Sequence, residues 1–461
     1  MWGALLDYYH FTGDSTYNNV TTQALLSQVG PLYDYMVPWH QKDEGNDDQA
    51  FWGFATMSAA EKDYPQPTVG NYSWVQLTEN IWNTQVRRWD NTSCNGGLKW
   101  QIFTFNNGYD YKNSVSNGAF FQLSARLARF TGNQTYVEWV EKSLKWSQEV
   151  GLITPDYYVY DGTDDTKNCS HQDQIIWTYN AGIYLYGAAI MYNYTNGSSL
   201  WETRTQGFLN ATANFFSPFD NSTDIMFEPA CETVNTCDND QFSFKGYLSR
   251  FMWASTLVAP FTTSAVTTLL RTSSIAAAQS CSGGDDGTTC GEHWYYGGYD
   301  GVFGVGQQMS ALETLQGLLI RNSIAPLHNN QVHLMVAVTT STAPVPTSTY
   351  SWSNLSCTLS EFMSYGNKTW IPSGFMSQQN QLSSVLPLSS NPPPPSRASL
   401  LSDASIYNHP LLPVPINSNP SIVTATTSPT ATKKSAAGQN YAHSFAWLAA
   451  IGATVLAMNI A

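Results

Sequence analysis

LSARLARFTGNQTY, residues 123–136, has a counterpart near the start of the chain in LLDYYHFTGDSTY, residues 5–17, and a looser one in LYGAAIMYNYTNGSSLW, residues 185–201. Each copy is an apolar stretch of helical character, followed by a Thr-Gly or Asn-Gly break and then by a Tyr or Trp that starts another such stretch. Two helices joined by a short loop form a helical hairpin. The repeat therefore predicts a fold built from helical hairpins.

Six starts of such hairpins can be counted, near residues 1, 47, 113, 179, 244 and 306, with about 46 to 66 residues between neighbours. Long strands of alternating Val and Ile are absent from this part of the sequence, which favours an all-α fold over α/β. Helices buried on both sides are apolar almost all round, as AFWGFATMSAA (50–60) is. We therefore predict an (α/α)6 barrel, in which six inner and six outer helices close into a toroid.

The composition excludes two classes of protein. Only 12% of the 461 residues are charged, against about 25% in a typical protein. The net charge is −14 and only 20 Lys and Arg are spread along the chain, which argues against nucleic-acid binding. Aromatic residues make up 14% of the chain and need burial or a partner, so most of it is not disordered.

The cysteines and glycosylation sequons indicate an oxidising, secretory route. The seven cysteines form no C-x-x-C motif, so disulfides are favoured over zinc. We expect the pairs Cys231–Cys237 and Cys281–Cys290, with Cys94–Cys169 as a guess and Cys357 left over. Eleven N-x-[ST] sequons agree with this, although an Asn- and Thr-rich chain also produces some by chance: Asn19, Asn71, Asn91, Asn133, Asn168, Asn193, Asn196, Asn210, Asn221, Asn354 and Asn367.

The composition changes after the hairpins and divides the chain. A folded domain is expected over 1–321, followed by a segment of uncertain character over 322–386 and by a Ser/Thr/Pro-rich stalk over 387–434. Residues 435–461 combine small residues, a short polar spacer and the apolar end FAWLAAIGATVLAMNIA, which is the pattern of a GPI-attachment signal. An ordinary membrane anchor is the alternative, but an uncharged, mainly apolar stretch of 17 residues is at the bottom of the spanning range.

The start of the chain does not fit a secreted protein. MWGALLDYYH, residues 1–10, has no basic region, no long apolar core and no cleavage site, and is typical of the middle of a helix. We therefore expect an N-terminal truncation that removes a signal peptide and part of the barrel. If those residues are absent, the barrel lacks its closing outer helix, which puts the activity of the chain as written in question.

The strongest local signal for chemistry is GNDDQAFWG, residues 45–53. Asn46 is expected to cap a helix, which places Asp47 and Asp48 in its first turn, where the helix dipole favours carboxylates. Two such carboxylates facing an aromatic cavity suit retaining glycoside hydrolysis, with one ionised nucleophile and one general acid. From spacing alone a solvated helix start or a calcium site also fits, although EF-hand spacing is absent. Cofactor motifs are missing, so we expect no cofactor and no metal.

Five motifs, in order, carry a resemblance to a known family. They are GNDDQAFWG together with KNSVSNGAFFQLSARLARFTGNQTY (112–136), TYNAGIYLYGAA (178–189), FKGYLSRFMW (244–253) and WYYGGYDGVFGVGQQMSALE (294–313). Over residues 1–320 the chain resembles the fungal GPI-anchored mannan endo-1,6-α-mannosidases of glycoside hydrolase family 76. The resemblance implies an (α/α)6 barrel and a retaining mechanism on α-1,6-mannose linkages, with Asp47 as the nucleophile and Asp48 as the acid/base.

The same motifs supply further candidates for substrate binding. Asn46 adjoins the aspartates, and Trp52 offers either a sugar-stacking face or core packing. Lys245 pairs either with a catalytic carboxylate, with a phosphate-bearing glycan, or in an ordinary ion pair, and Asp300 is either a ligand or a turn residue. Tyr160 and Asp161 are expected in a loop that lines the cleft. The remaining candidates either bind sugar hydroxyls or cap helices: Lys112, Asn113, Asn117, Tyr179 and Asn180.

The functional prediction is a cell-wall α-1,6-mannosidase held at the cell surface by a GPI anchor. Its expected partners are α-1,6-mannan or the mannose core of GPI glycans, the membrane through the anchor, and no nucleic acid. One alternative is a transglycosidase that uses the same site to join GPI-anchored proteins to cell-wall glucan. An alternative of another class is an inactive mannan-binding surface protein, against which the two adjacent aspartates argue.

Overall fold

A computed structural model describes residues 1–40 and 42–332. Eleven α-helices account for most of this part of the chain: α1 (Trp2–Thr12), α2 (Asn18–Ser27), α3 (Asn46–Glu61), α4 (Trp74–Arg88), α5 (Ser114–Thr131), α6 (Gln134–Glu149), α7 (Thr178–Tyr194), α8 (Ser199–Ala211), α9 (Phe244–Val258), α10 (Thr263–Ser280) and α11 (Val305–Gln316). The predicted stalk, the attachment signal, Cys357 and most of 322–386 lie outside the described residues.

The odd-numbered helices form a closed inner ring. Helix α1 packs on α3, α3 on α5, α5 on α7, α7 on α9, α9 on α11, and α11 returns to α1. Their start positions agree closely with the six hairpin starts expected from the sequence. The inner ring of the predicted (α/α)6 barrel is therefore confirmed.

The outer layer differs from the expected six helices. Within residues 1–40 and 42–332 five outer helices are present, namely α2, α4, α6, α8 and α10. Helix α11 is followed by a 3-10 turn over Gly317–Asn322, which packs against α1 and α9. No helix of the described part is both long and apolar enough to span a membrane.

The difference between inner and outer helices follows from their sequences. In α5 every residue from Ser114 to Phe130 is buried, as expected for a helix enclosed on both sides. In α6 the buried positions Tyr136, Val140, Ser143 and Ser147 recur every three or four residues, so only one stripe faces the core. The breaks predicted at Gly13 and Gly132 end α1 and α5 in the left-handed conformation, with φ of 72° and 74°.

Two small antiparallel sheets interrupt the helical pattern, and the sequence did not indicate them. Strands β1 (Tyr111–Asn113), β2 (Tyr160–Asp164) and β3 (Gln172–Ile176) pair in the order β1-β2-β3, and β4 (Phe216–Phe219) pairs with β5 (Ser222–Met226). With only three to five residues each, these strands are too short to show an alternating pattern. Strand β1 leads directly into α5 and β3 almost directly into α7, so this sheet borders the starts of two inner helices.

Three disulfides secure the loops between helices. Cys94–Cys169, Cys231–Cys237 and Cys281–Cys290 are formed, with Cα–Cα distances of 5.7, 4.8 and 3.7 Å. All three pairings expected from the sequence are therefore confirmed. Cys94–Cys169 closes the longest loop, a separation of 75 residues, and such long closures restrict the unfolded chain most.

Buried ion pairs link inner helices at the end of α3 remote from its first turn. Arg126 of α5 lies 2.6 Å from Glu61 of α3, and Arg250 of α9 lies 2.9 Å from Asp7 of α1. Arg126 and Arg250 both donate to the hydroxyl of Ser58, so the two pairs meet in one polar layer. Some of the few charged residues of this chain therefore lie inside the barrel, and in these two pairs each charge has a partner of opposite sign.

Candidate active site

The starts of four inner helices surround an open cleft of about 530 Å³. The aspartates of α3, the residues just before α5, and the first residues of α7 and α9 all face into it. Its lining consists of aromatic and acidic side chains with a few polar ones: Asp47, Asp48, Phe51, Trp52, Trp100, Tyr111, Asn113, Val115, Asp161, Trp177, Tyr179, Asp238, Asp240, Gln241, Ser243, Phe244 and Tyr247. Neutral, hydroxyl-rich ligands fit such a surface, because aromatic faces stack on sugar rings and carboxylates accept from hydroxyl groups.

Asp47 and Asp48 lie in the first turn of α3, as expected, but the helix cap differs from the prediction. Gly45 is the N-cap residue, and Asn46 is the first residue of the helix. The backbone N–H of Gly45 donates to Asp48 Oδ2 at 2.7 Å, so Asp48 closes a capping box. The side chain of Asn46 points away into the protein, where its Nδ2 donates to the carbonyl oxygen of Lys99 at 2.8 Å.

The carboxylate of Asp47 is held by a residue of the loop that precedes β1. Trp100 Nε1 donates to Asp47 Oδ2 at 2.9 Å, while Asp47 Oδ1 is buried and has no hydrogen-bond partner among the described residues. The backbone nearby is fixed by a hydrogen bond from the N–H of Asn46 to the carbonyl oxygen of Trp100 at 2.9 Å. Asp47 therefore has one oxygen fixed by an indole and one oxygen available.

Gly45 leaves room for both carboxylates. A methyl group built on Gly45 would overlap Asp47 Oδ1 and would lie 3.1 Å from Asp48 Oδ2. Both carboxylates thus reach the same point above Gly45. This proximity fits the separation of about 5–5.5 Å between the two carboxyl groups of retaining glycosidases, rather than the wider spacing of inverting ones.

Burial and mutual repulsion set the protonation of the pair. Burial raises the pKa of Asp47 well above its ordinary value, the neighbouring Asp48 raises it further, and the indole of Trp100 opposes this increase. Burial also raises the pKa of Asp48, although the N–H of Gly45 lowers it in part. Since two carboxylates this close resist double ionisation, the pair retains one proton at pH values at which free aspartates are fully ionised.

We expect Trp100→Phe to move the acidic limb of the activity profile. Without the indole N–H, the ionised form of Asp47 loses a hydrogen bond and its pKa rises further. The acidic limb of the pH dependence of kcat/KM therefore shifts to higher pH, and the rate at low pH falls by about tenfold. The measurement is a full pH–rate profile with Trp139→Phe on outer helix α6 as the control, and an unchanged acidic limb in Trp100→Phe would show that the indole does not tune Asp47.

Aromatic side chains form the walls of the cleft. Trp52 lines it and also stacks on Tyr35 at 5.2 Å between ring centroids, so both sequence-based interpretations of Trp52 describe part of its environment. On the opposite wall, Tyr179 stacks on Phe244 at 3.8 Å, and Trp177 meets Phe244 edge-on at 5.5 Å. These aromatic side chains line the same cleft as the two carboxylates.

The short sheet contributes a third carboxylate. Asp161 of β2 lines the cleft, as expected from the sequence, and accepts a hydrogen bond from the hydroxyl of Tyr111 at 2.8 Å. Burial raises its pKa. Tyr160 has a different position: its carbonyl oxygen accepts from the hydroxyl of Ser114 and so fixes the start of α5.

Several cleft residues were missed by the sequence analysis. Trp100 and Tyr111 lie in a long loop and a three-residue strand, and Asp238 and Asp240 directly follow the Cys231–Cys237 disulfide. The negative charge of Asp240 raises the pKa of Asp48. The disulfide itself was the one available signal, since a short loop closed by a bridge holds its neighbours in a defined place.

Of the other predicted binding residues, two lie at the cleft. Tyr179 lines it through its ring, and Asn113 lines it while its Oδ1 caps α5 by accepting from the N–H of Ser116. Asn180, next to Tyr179, is fully buried, and neither atom of its amide group has a hydrogen-bond partner among the described residues.

Two other candidates serve the loop before β1 and do not line the cleft. Lys112 is fully buried, forms an ion pair with Asp90 at 3.0 Å and donates to backbone carbonyls of the 90–96 loop. Asn117 is also buried and exchanges hydrogen bonds with both backbone groups of Leu98. Both residues therefore support the loop that carries Trp100.

Lys245 and Asp300 also lie behind the cleft wall. Lys245 pairs with Glu232 at 2.8 Å and with Glu292 at 3.4 Å, so of the alternatives considered from the sequence the ordinary ion pair is the one that forms. Asp300 accepts from the backbone of Glu292 and from His293, which makes it the anchor of a loop.

Comparisons with known proteins agree with this geometry. Residues 1–330 match the model of glycosyl hydrolase family 76. The mannan endo-1,6-alpha-mannosidase DCW1 of Saccharomyces cerevisiae is 48% identical over 327 residues, covering 70% of this chain and 72% of the relative. The crystal structure of Dfg5 from Chaetomium thermophilum in complex with glucosamine is 40% identical, with a TM-score of 0.69, and the match covers 72% of this chain and 82% of that one.

A bacterial structure shares the fold at much lower identity. It is an α-1,6-mannanase of Salegentibacter in complex with α-1,6-mannotriose, in a variant made inactive by replacing two consecutive aspartates with asparagine. It is 18% identical, with a TM-score of 0.56, and covers 69% of this chain and 88% of that one.

Proposed function

Because the chain belongs to glycosyl hydrolase family 76, we propose that it is a retaining, endo-acting α-1,6-mannosidase that uses Asp47 and Asp48. The observation that carries this proposal is the pair of adjacent first-turn carboxyl groups, both with raised pKa, inside an aromatic cleft. The names of the fungal relatives and the mannotriose bound by the bacterial mannanase support α-1,6-mannan as the substrate.

The reaction proceeds by double displacement. The reactive form of the pair is the one in which Asp48 holds the proton and Asp47 is ionised. In this form the carboxylate of Asp47 attacks the anomeric carbon of the mannosyl unit while Asp48 gives its proton to the departing 6-oxygen of the next mannose, so the glycosidic bond breaks as the Asp47 ester forms. Water then attacks the same carbon, Asp48 takes its proton, and the carboxylate of Asp47 leaves. Two inversions give a product with the α configuration of the substrate.

An endo mode of action is supported by cavities on both sides of the pair. Asp48 and Trp52 line the main cleft and also a second cavity of about 460 Å³, whose other walls include Tyr35, His40 and Glu44. The sugars on either side of the scissile bond can therefore each occupy protein surface. By contrast, an enzyme that releases only terminal mannose needs a binding cleft that is closed on one side of its catalytic pair.

Transglycosylation onto glucan is the second candidate. Three carboxyl side chains, Asp43, Glu44 and Asp48, line the second cavity together with His40. This cavity suits the ammonium group of glucosamine, the ligand in the related Dfg5 structure. In that reaction the mannosyl ester at Asp47 is captured by a glucan hydroxyl instead of by water.

The proposal includes a localisation at the cell surface. A GPI-attached enzyme at the plasma membrane and cell wall meets both mannan and GPI glycans, and the predicted signal at 435–461 would put it there. An inactive mannan-binding protein remains the alternative of another class. It has no need for two carboxylates that share a proton.

Mass spectrometry of products tests the proposal. The enzyme, expressed with a secretion signal, is incubated with α-1,6-mannotetraose alone and with a GPI glycan plus a glucan oligosaccharide. Shorter mannan oligomers from the first mixture support the mannosidase, and a mannosyl-glucan adduct from the second supports the transglycosidase. Binding of mannotetraose without any product in either mixture contradicts both and favours the inactive binding protein.

A further inference from the structure

The aromatic wall formed by Trp177, Tyr179 and Phe244 is built from the starts of two helices. Trp177 and Tyr179 flank the first residue of α7, and Phe244 is the first residue of α9. The rings contact one another across the gap between these helices, and the ring centroids of Tyr179 and Phe244 are 3.8 Å apart. The wall therefore keeps its shape only if the two helix starts keep their mutual position.

A buried glutamate fixes the start of α7. Thr178, between the two aromatic residues, is fully buried, and its N–H and hydroxyl both donate to Glu228 Oε2, at 3.1 and 2.6 Å. Glu228 is itself fully buried and comes from the loop after β5. The cap residue of α7, Trp177, makes no side-chain cap of its own, so Glu228 takes over that role from a distant part of the chain.

The same glutamate is connected to the start of α9. The backbone N–H of Glu228 donates to Glu232 Oε1 at 2.8 Å, and that oxygen lies 2.8 Å from the Nζ of Lys245. Lys245 directly follows Phe244 and is buried completely. The path from Thr178 through Glu228 and Glu232 to Lys245 thus joins the two helix starts that carry the aromatic wall.

We propose that Glu228 is a positioning residue, which caps α7 and links it to α9 so that Trp177, Tyr179 and Phe244 present a fixed stacking face to the sugar. It touches no reacting atom, and its effect reaches the substrate through Thr178 and the aromatic rings. The inference rests on the proposed function only in taking a glycan as the ligand of the cleft.

The protonation of Glu228 makes the stability of the fold depend on pH. Burial raises its pKa to about 8, the charge of Glu232 acts in the same direction, and Thr178 and Lys245 oppose it. The other charged groups around Lys245 are Glu292 and, through the same loop, the pair of His293 with Asp300. A raised carboxyl pKa stabilises the fold below the pKa of the free group, and this stabilisation is lost as pH rises through about 8.

Three variants separate positioning from general destabilisation. Glu228→Ala removes the acceptor, Glu228→Gln keeps an accepting oxygen and resembles the neutral acid, and Thr178→Val removes only the donating hydroxyl. We expect Glu228→Ala and Thr178→Val to raise KM for α-1,6-mannotetraose about fivefold with kcat within about twofold. Glu228→Gln, which keeps an oxygen that can accept from Thr178, should keep KM within about twofold of the wild type.

Hydrogen exchange of the backbone supplies a readout that does not depend on activity. Exchange at the amide of Thr178 and in the first turn of α7 should accelerate in Glu228→Ala and Thr178→Val and remain slow in Glu228→Gln. If wild-type protein does not cleave mannan, the proposed function fails while the exchange rates still decide the role of Glu228. Wild-type KM and wild-type exchange in both Glu228→Ala and Thr178→Val would overturn the inference, and Thr178→Val alone decides it if Glu228→Ala does not fold.

Discussion

Asp47→Asn and Asp48→Asn should each lower kcat on α-1,6-mannan oligomers by at least about 10³-fold. Asparagine has nearly the same shape as aspartate, so the hydrogen bonds from Trp100 and from the N–H of Gly45 can persist. What each variant loses is chemistry: the amide cannot form the glycosyl ester at position 47 and cannot donate and recover a proton at position 48. The measurement is steady-state turnover of α-1,6-mannotetraose.

The matched control is Asp224→Asn, an exposed aspartate of strand β5. It should retain wild-type turnover, because it lies outside the set of residues that line the cleft. Thermal unfolding of all three variants should be similar to that of the wild type. Turnover of Asp47→Asn or Asp48→Asn within a few-fold of the control would contradict the assignment of that residue.

The second large effect is expected at Lys245, on stability. Lys245→Met leaves Glu232 and Glu292 buried without their cation, and breaking a buried ion pair in this way costs about 3–5 kcal/mol of the free energy of unfolding. Methionine has a similar length and is apolar, so the loss is mainly one of charge compensation. Denaturant or thermal unfolding measures it.

Lys145→Met provides the matched control for this experiment. Lys145 and Glu149 form an exposed pair on α6 at 3.6 Å, with 73% and 63% of their side chains exposed, and such pairs contribute about 0–1 kcal/mol. The control should therefore unfold almost like the wild type. If Lys245→Met also unfolds almost like the wild type, the buried cluster of Glu232 and Glu292 does not depend on the charge of Lys245 for its stability.

The helical framework could be predicted because its signals are local. Inner helices are apolar on all sides, outer helices have one buried stripe, and Gly13 and Gly132 mark helix ends by their left-handed conformation. The aspartate pair was equally visible, since Asp47 and Asp48 occupy consecutive positions at one helix start. The short strands were not, because three to five residues carry no periodic signal.

Binding roles were harder to predict. A polar residue near a helix start can either bind the substrate or form hydrogen bonds and ion pairs inside the protein, and the sequence looks the same in both cases. Lys112, Asn117 and Lys245 all belong to motifs that border the cleft, yet their side chains point into the protein and bind loops or buried carboxylates. Asn46 is a frequent capping residue type, but Gly45 caps α3 because a side chain there would displace Asp47. Trp100 and Asp240 reach the site through tertiary contacts, which no local pattern reveals.

The central claim is that Asp47 and Asp48 act as nucleophile and acid/base of a retaining mechanism. Chemical rescue tests it most directly: Asp47→Ala and Asp48→Ala are incubated with azide and an activated α-mannoside, and NMR determines the anomeric configuration of the azide product. Azide replaces the missing carboxylate in Asp47→Ala and should give the β-mannosyl azide, whereas in Asp48→Ala it attacks the ester at Asp47 and should give the α-mannosyl azide. The same anomer from both variants, or the two anomers exchanged between them, would contradict the account.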